Sequence, residues 1–136
     1  MRVLLIGNGA REHTIASAAC RSGAELYAYM GARNPGIARL CRDFSIGAIT
    51  NAPEILEYAR KHNIDLVVVG PEAVLEAGVT DALIKAGISC ASPTREASRL
   101  EWDKAYARGL LKKHKIRGCP RFGVFSDAAE AAEYID

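Results

Sequence analysis

The chain alternates short apolar runs with longer stretches of helical period. Val3-Leu4-Leu5-Ile6 is continuously apolar, the pattern of a strand buried on both faces. Residues 11–22 follow with helical spacing that turns Ile15, Ala16, Ala18 and Ala19 inward, and Gly23 stops them. Glu25 to Met30 reads as a second strand. Gly31, Asn34, Pro35 and Gly36 mark a loop that leads into a short helical turn ending at Leu40. Phe44 to Ile49 is a weak strand or a connection. Pro53 suits the first position of a helix whose apolar face is Ile55, Leu56 and Ala59 and which runs to His62. Leu66-Val67-Val68-Val69 is the second continuously apolar strand, and Gly70-Pro71-Glu72 ends it. A helix is predicted over 76–86, stopped by Gly87, then a short strand over 88–91 and a turn at Ser92-Pro93-Thr94. A helix over 103–114 comes next. Lys115 to Arg121 reads as a linker, Phe122 to Phe125 as a strand, and Asp127 as the start of a last helix.

Strand–helix alternation with short connections argues for an α/β fold, a Rossmann-like open parallel sheet with helices on both faces. That domain is predicted over residues 1–102, with a helix and linker over 103–120. One strand and one helix cannot close a core, so residues 121–136 are read as the beginning of a second domain.

Composition changes this picture little. Apolar residues make up 49% and charged residues 25%, enough for a packed core. The net charge of +2 gives no case for a nucleic-acid partner. No apolar stretch approaches the ~18–20 residues that span a bilayer, so no membrane partner is expected. The N-terminus lacks a signal-peptide pattern, and Cys20, Cys41, Cys90 and Cys119 form no CxxC pair. They read as reduced thiols, which points to a cytoplasmic protein without a zinc site.

The chemistry concentrates in the turn after the first strand, Gly7-Asn8-Gly9-Ala10-Arg11-Glu12-His13. Two glycines before a helix permit a tight turn and place backbone N–H groups at the positive end of a helix dipole, where an anion is stabilised. A dinucleotide needs more. Its fingerprint has a third glycine where this chain has Glu12, and an acid at the end of the second strand, which here ends Tyr29-Met30-Gly31. NAD and FAD are therefore disfavoured. Arg11 offers a planar fork to a phosphate, and Glu12 sits where a carboxylate caps a helix and favours its dipole. His13 at such a place prefers to be neutral. The loops holding Asn34-Pro35-Gly36 and Gly70-Pro71-Glu72 follow the other strands at the same sheet edge, where open α/β sheets bind ligands. Glu72 could accept from sugar hydroxyls or an amine, and Pro71 stiffens its turn. A plain strand–helix turn and a solvated helix-start acid are the alternatives.

Four stretches, LLIGNGAREH, DLVVVGPEAVLEAGVTDAL, ASPTREASRLEWDKAYAR and FGVFSDAAEAAEYI, follow one another along the whole chain. In this order they resemble the phosphoribosylamine–glycine ligases, also called glycinamide ribonucleotide synthetases, of the ATP-grasp superfamily. The resemblance implies a pre-ATP-grasp N-terminal domain followed by the beginning of an ATP-grasp domain. It implies purine biosynthesis, with glycine joined to 5-phosphoribosylamine while ATP is split to ADP and phosphate. ATP with Mg or Mn would serve the full-length enzyme, while the fragment alone would be inactive and hold no metal. Gly7, Asn8, Gly9 and Arg11 would then serve the phosphoribosyl group, with Glu12, His13, Asn34, Gly36, Pro71 and Glu72 around it. Lys104 would touch ATP phosphates. The second loop departs from the family's P-G-N-A-G-T, reading Ala32-Arg33-Asn34-Pro35-Gly36-Ile37, and Trp102-Asp103 replaces the small pair before the lysine. Two other readings stay open at this stage, a non-catalytic nucleotide-sensing module and the N-terminal domain of another ATP-grasp ligase.

Overall fold

The computed structural model describes residues 1–135. The chain divides into two compact units, Met1–Ser98 and Arg99–Asp136.

The first unit is built on a five-stranded sheet: β1 (Arg2–Ile6), β2 (Glu25–Met30), β3 (Asp43–Ile46), β4 (Leu66–Val69) and β5 (Ser89–Cys90). The strand order is β3-β2-β1-β4-β5, and every pairing is parallel. This is the doubly wound order, whose direction reverses between β1 and β4. Ile6 aligns with Tyr29 on one side and with Val69 on the other, so the carboxyl ends of β1, β2 and β4 lie level.

Five helices belong to this unit: α1 (Ala10–Arg21), α2 (Pro35–Leu40), α3 (Ala52–Lys61), α4 (Glu72–Glu76) and α5 (Val79–Lys85); α6 (Arg99–Trp102) opens the second unit. Alternate strand residues face opposite layers. Leu4, Ile6, Val67 and Val69 pack with Ile55 and Ala59 of α3 and with Val74, Val79 and Leu83 of α4 and α5. Val3, Leu5, Leu26, Ala28 and Met30 pack with Ala16 of α1 and Ile37 of α2. Both faces are therefore covered, as the apolar runs require.

The predicted helix over 76–86 is two helices. Gly78 adopts φ 74°, a left-handed conformation that ends α4 and starts α5. Proline stands second in α3, after Ala52, with Asn51 as the cap. On α1, Ala16 is buried while Ala18 is exposed, contrary to expectation. The inward stripe runs through positions 12, 16 and 19, at helical spacing, and its first member is the carboxylate Glu12.

The second unit holds α6, α7 (Lys104–Lys113) and α8 (Ala128–Ile135). Asp103 caps α7 by accepting from the Tyr106 N–H at 2.9 Å, and Asp127 caps α8 by accepting from the Ala129 N–H at 2.6 Å. The expected strand at Phe122–Phe125 is not formed; the segment has no neighbouring strand with which to exchange backbone hydrogen bonds. Among the described residues no helix is long and apolar enough to cross a membrane.

Candidate functional site

Three loops meet at the carboxyl edge of the sheet, after β1, β2 and β4. Gly7 is buried with φ +124°, a conformation that disfavours any side chain. A Cβ there would also lie 2.8 Å from both Glu12 Cγ and Pro71 Cδ. The first loop is thus packed directly on the third.

Arg11 and Glu72 join those two loops across the switch point. The Arg11 guanidinium donates from Nη1 to Glu72 Oε1 at 3.0 Å, from Nη2 to the Gly70 carbonyl, and from Nε to Glu12 Oε1 at 3.1 Å. The Arg11 and Glu72 side chains remain 56% and 47% exposed, so some guanidinium N–H groups stay open to a ligand. The hydrogen bond from Arg11 holds the Glu72 carboxyl below the usual carboxylate range, and the same bond raises Arg11.

Asn8 and Asn34 tie the first loop to the second. Asn34 Nδ2 donates to the Asn8 carbonyl at 2.9 Å, and the Gly31 N–H donates to Asn8 Oδ1 at 3.0 Å. Asn34 also caps α2, its Oδ1 accepting from Gly36 N at 2.9 Å and Ile37 N at 3.2 Å. His13 lies over the start of that helix: a Cβ on Gly36 would sit 2.7 Å from the imidazole.

Glu12 is the buried member of the group, at 4% exposure. Its Oε2 accepts from the Gly9 N–H at 2.6 Å. Gly70 packs so closely on it that a Cβ there would lie 2.6 Å from Glu12 Cδ. Gly7, Asn8, Gly9, Arg11, Glu12, His13, Asn34, Gly36, Pro71 and Glu72 are therefore all brought to one edge. The bonds that tie Asn8 to Gly31 and Asn34, and the packing of Gly70 on Glu12, were not legible in the motif; each depends on a partner from another loop.

Lys104 belongs to the second unit. It is exposed at the first position of α7 and lines a groove of about 370 Å³ with Ala105, Arg108 and Phe122 to Phe125. Among the described residues no group of three or more His, Cys, Asp or Glu side chains could hold a metal ion.

The doubly wound sheet and the loops at its switch point define a Rossmann-like α/β domain. Residues 1–101 match the family model described as phosphoribosylglycinamide synthetase, N domain. The chain belongs to that family. It is 48% identical over 136 residues to the phosphoribosylamine–glycine ligase of Methanocorpusculum labreanum, covering 99% of this chain and 32% of that protein. Its fold is shared with phosphoribosylglycinamide synthetase from Anaerococcus prevotii, at TM-score 0.67 and 19% identity over 98% of this chain and 34% of that one. The biotin carboxylase domain of a single-chain bacterial carboxylase gives TM-score 0.72 at 22% identity, over 98% of this chain and 33% of that one. The chain spans about a third of the length of the curated relatives it matches.

Proposed function

We propose that residues 1–98 form the phosphoribosylamine-binding part of a phosphoribosylamine–glycine ligase of purine biosynthesis. The observation that carries this reading is the Arg11–Glu72 pair, which closes the Gly7–His13 turn onto the Gly70–Glu72 loop at the switch point. The relative's name supports the joining of glycine to phosphoribosylamine. In the reaction that the family resemblance implies, ATP would activate the glycine carboxylate as glycyl phosphate with ADP leaving, and the ribosylamine nitrogen would displace phosphate and lose a proton to form the amide. In this reading Arg11, with the turn around Gly7, Asn8 and Gly9, faces the substrate phosphate. Glu72, kept ionised by Arg11, accepts from the amine N–H and orients its lone pair. Asn8 and Asn34 hold the loops in register, Gly36 lets His13 approach, and Pro71 fixes the third loop.

Residues 103–120 are proposed as the link to an ATP-grasp domain that begins within 121–136. The groove at Lys104 fits part of a nucleotide: Lys104 and Arg108 suit phosphates, and Phe122 and Phe125 offer ring faces. ATP supplies the phosphoryl group that activates the acid. The family resemblance implies a divalent ion, Mg or Mn, with the ATP of the full-length enzyme. The fragment alone is expected to bind sugar phosphate without turning over.

Calorimetry tests the reading. Ribose 5-phosphate should bind this chain, and Arg11→Ala should weaken that binding about tenfold, the scale of one charge-assisted contact. Binding of NAD with no response to ribose 5-phosphate would replace this reading with a dinucleotide sensor.

A further inference from the structure

In a dinucleotide-binding turn the second glycine leaves room for the pyrophosphate to approach the backbone, and the third lets helix and strand pack closely. Here the corresponding positions are Gly9 and Glu12. The space that a Cβ on Gly9 would enter is already filled: Glu12 Oε2 would lie 2.6 Å from it. The same oxygen takes the Gly9 N–H at 2.6 Å. Gly7 and Gly70 pack on the Glu12 side chain from two loops. Both carboxylate oxygens act as acceptors, one toward Gly9 and one toward Arg11. Three glycines thus wrap a resident anion.

We infer that Glu12 is the specificity-determining residue of this turn: its carboxylate occupies the diphosphate position and rejects diphosphate-bridged ligands, leaving a site for a phosphomonoester. The inference rests on the proposed sugar-phosphate reading. A diphosphate laid along Gly7–Gly9 meets a like charge and finds the Gly9 N–H already taken. A phosphomonoester needs only one anchoring point and is served by the outward side of the turn and by Arg11.

The test is calorimetry of the 136-residue chain with inorganic pyrophosphate and, separately, ribose 5-phosphate, with folding checked by thermal melts. Glu12→Ala empties the space and frees the Gly9 N–H. Its pyrophosphate affinity should rise about tenfold, with a smaller change for ribose 5-phosphate. Glu12→Gln keeps the volume and drops the charge, and should gain about threefold for pyrophosphate, which suffices if the alanine variant does not fold. Glu12→Asp keeps the charge and should gain nothing. No gain in a folded Ala or Gln variant, or an equal gain in Asp, overturns the inference. Absence of ribose 5-phosphate binding to the unaltered chain would instead refute the sugar-phosphate reading, while the pyrophosphate comparison still reports on Glu12.

Discussion

Arg11 and Glu72 lie 61 residues apart in sequence and 3.0 Å apart in the fold. The hydrogen bond lowers the Glu72 carboxyl below its ordinary value. A carboxyl lowered by folding adds stability that is complete above its unfolded value and is lost as pH falls through its folded value. Both side chains are about half exposed, so the pair contributes only about 0.5 kcal/mol. The carboxyl carbon of Glu72, followed by NMR through an acid titration, should show a midpoint that moves upward in Arg11→Ala. An unmoved midpoint would mean that the pair does not persist in solution.

Gly70→Ala should be more damaging than its small size suggests. The new methyl would meet the Glu12 stem, and that side chain is fixed by the Gly9 and Arg11 bonds. Overpacking of this kind costs about 1–3 kcal/mol. Urea unfolding curves measure it, and a midpoint equal to the parent's would show that Glu12 moves freely.

The methyl of Gly36→Ala meets first the His13 imidazole, an exposed ring that can swing aside. The expected loss is about 1 kcal/mol. In a His13→Ala background most of it should vanish, because the clash has been removed. A double-mutant cycle in urea reads this coupling; additive losses would place the strain elsewhere.

Asn34→Ala removes the α2 cap and the bond to the Asn8 carbonyl together. A loss of about 1–2 kcal/mol is expected. Asn34→Asp keeps the cap and loses only the donor, so its thermal midpoint should fall between those of the parent and the alanine variant.

Burial pushes the Cys41 thiol up to about 12 and the Cys90 thiol to about 11, with the Cys20 thiol adding to the first. Both should therefore hold little thiolate near neutral pH. Mass spectrometry after brief iodoacetamide treatment should find them labelled far more slowly than in the urea-unfolded chain. Equal rates would show that these thiols are open to solvent.

The main features of the first unit were legible because they depend on short-range patterns. The apolar runs at Val3–Ile6 and Leu66–Val69 could only be strands covered on both sides, and they are. Glycine stops and proline starts bounded most helices. What escaped depended on distant partners. Gly78 carries no mark that separates a helix break from a tolerated glycine, yet its left-handed backbone divides the 76–86 segment. Phe122–Phe125 has strand composition but no strand beside it. Glu12 was readable as a cap from its spacing to Gly9. Its burial required Gly70, 58 positions further along, whose lack of a side chain means nothing until the two loops meet.

Since β1 is the central strand, paired with β2 and with β4, its amides should exchange with solvent mainly through opening of the whole sheet. β3 and the two-residue β5 stand at the margins and can fray. Gly7 follows β1 directly, with its N–H donated to the Tyr29 carbonyl at 3.0 Å. The turn is thereby anchored to the centre of the sheet, where exchange should be slowest, and fluctuations at either margin should leave it in place. Heating should accordingly loosen the margins well before the turn, which would keep its shape until the domain melts as a unit.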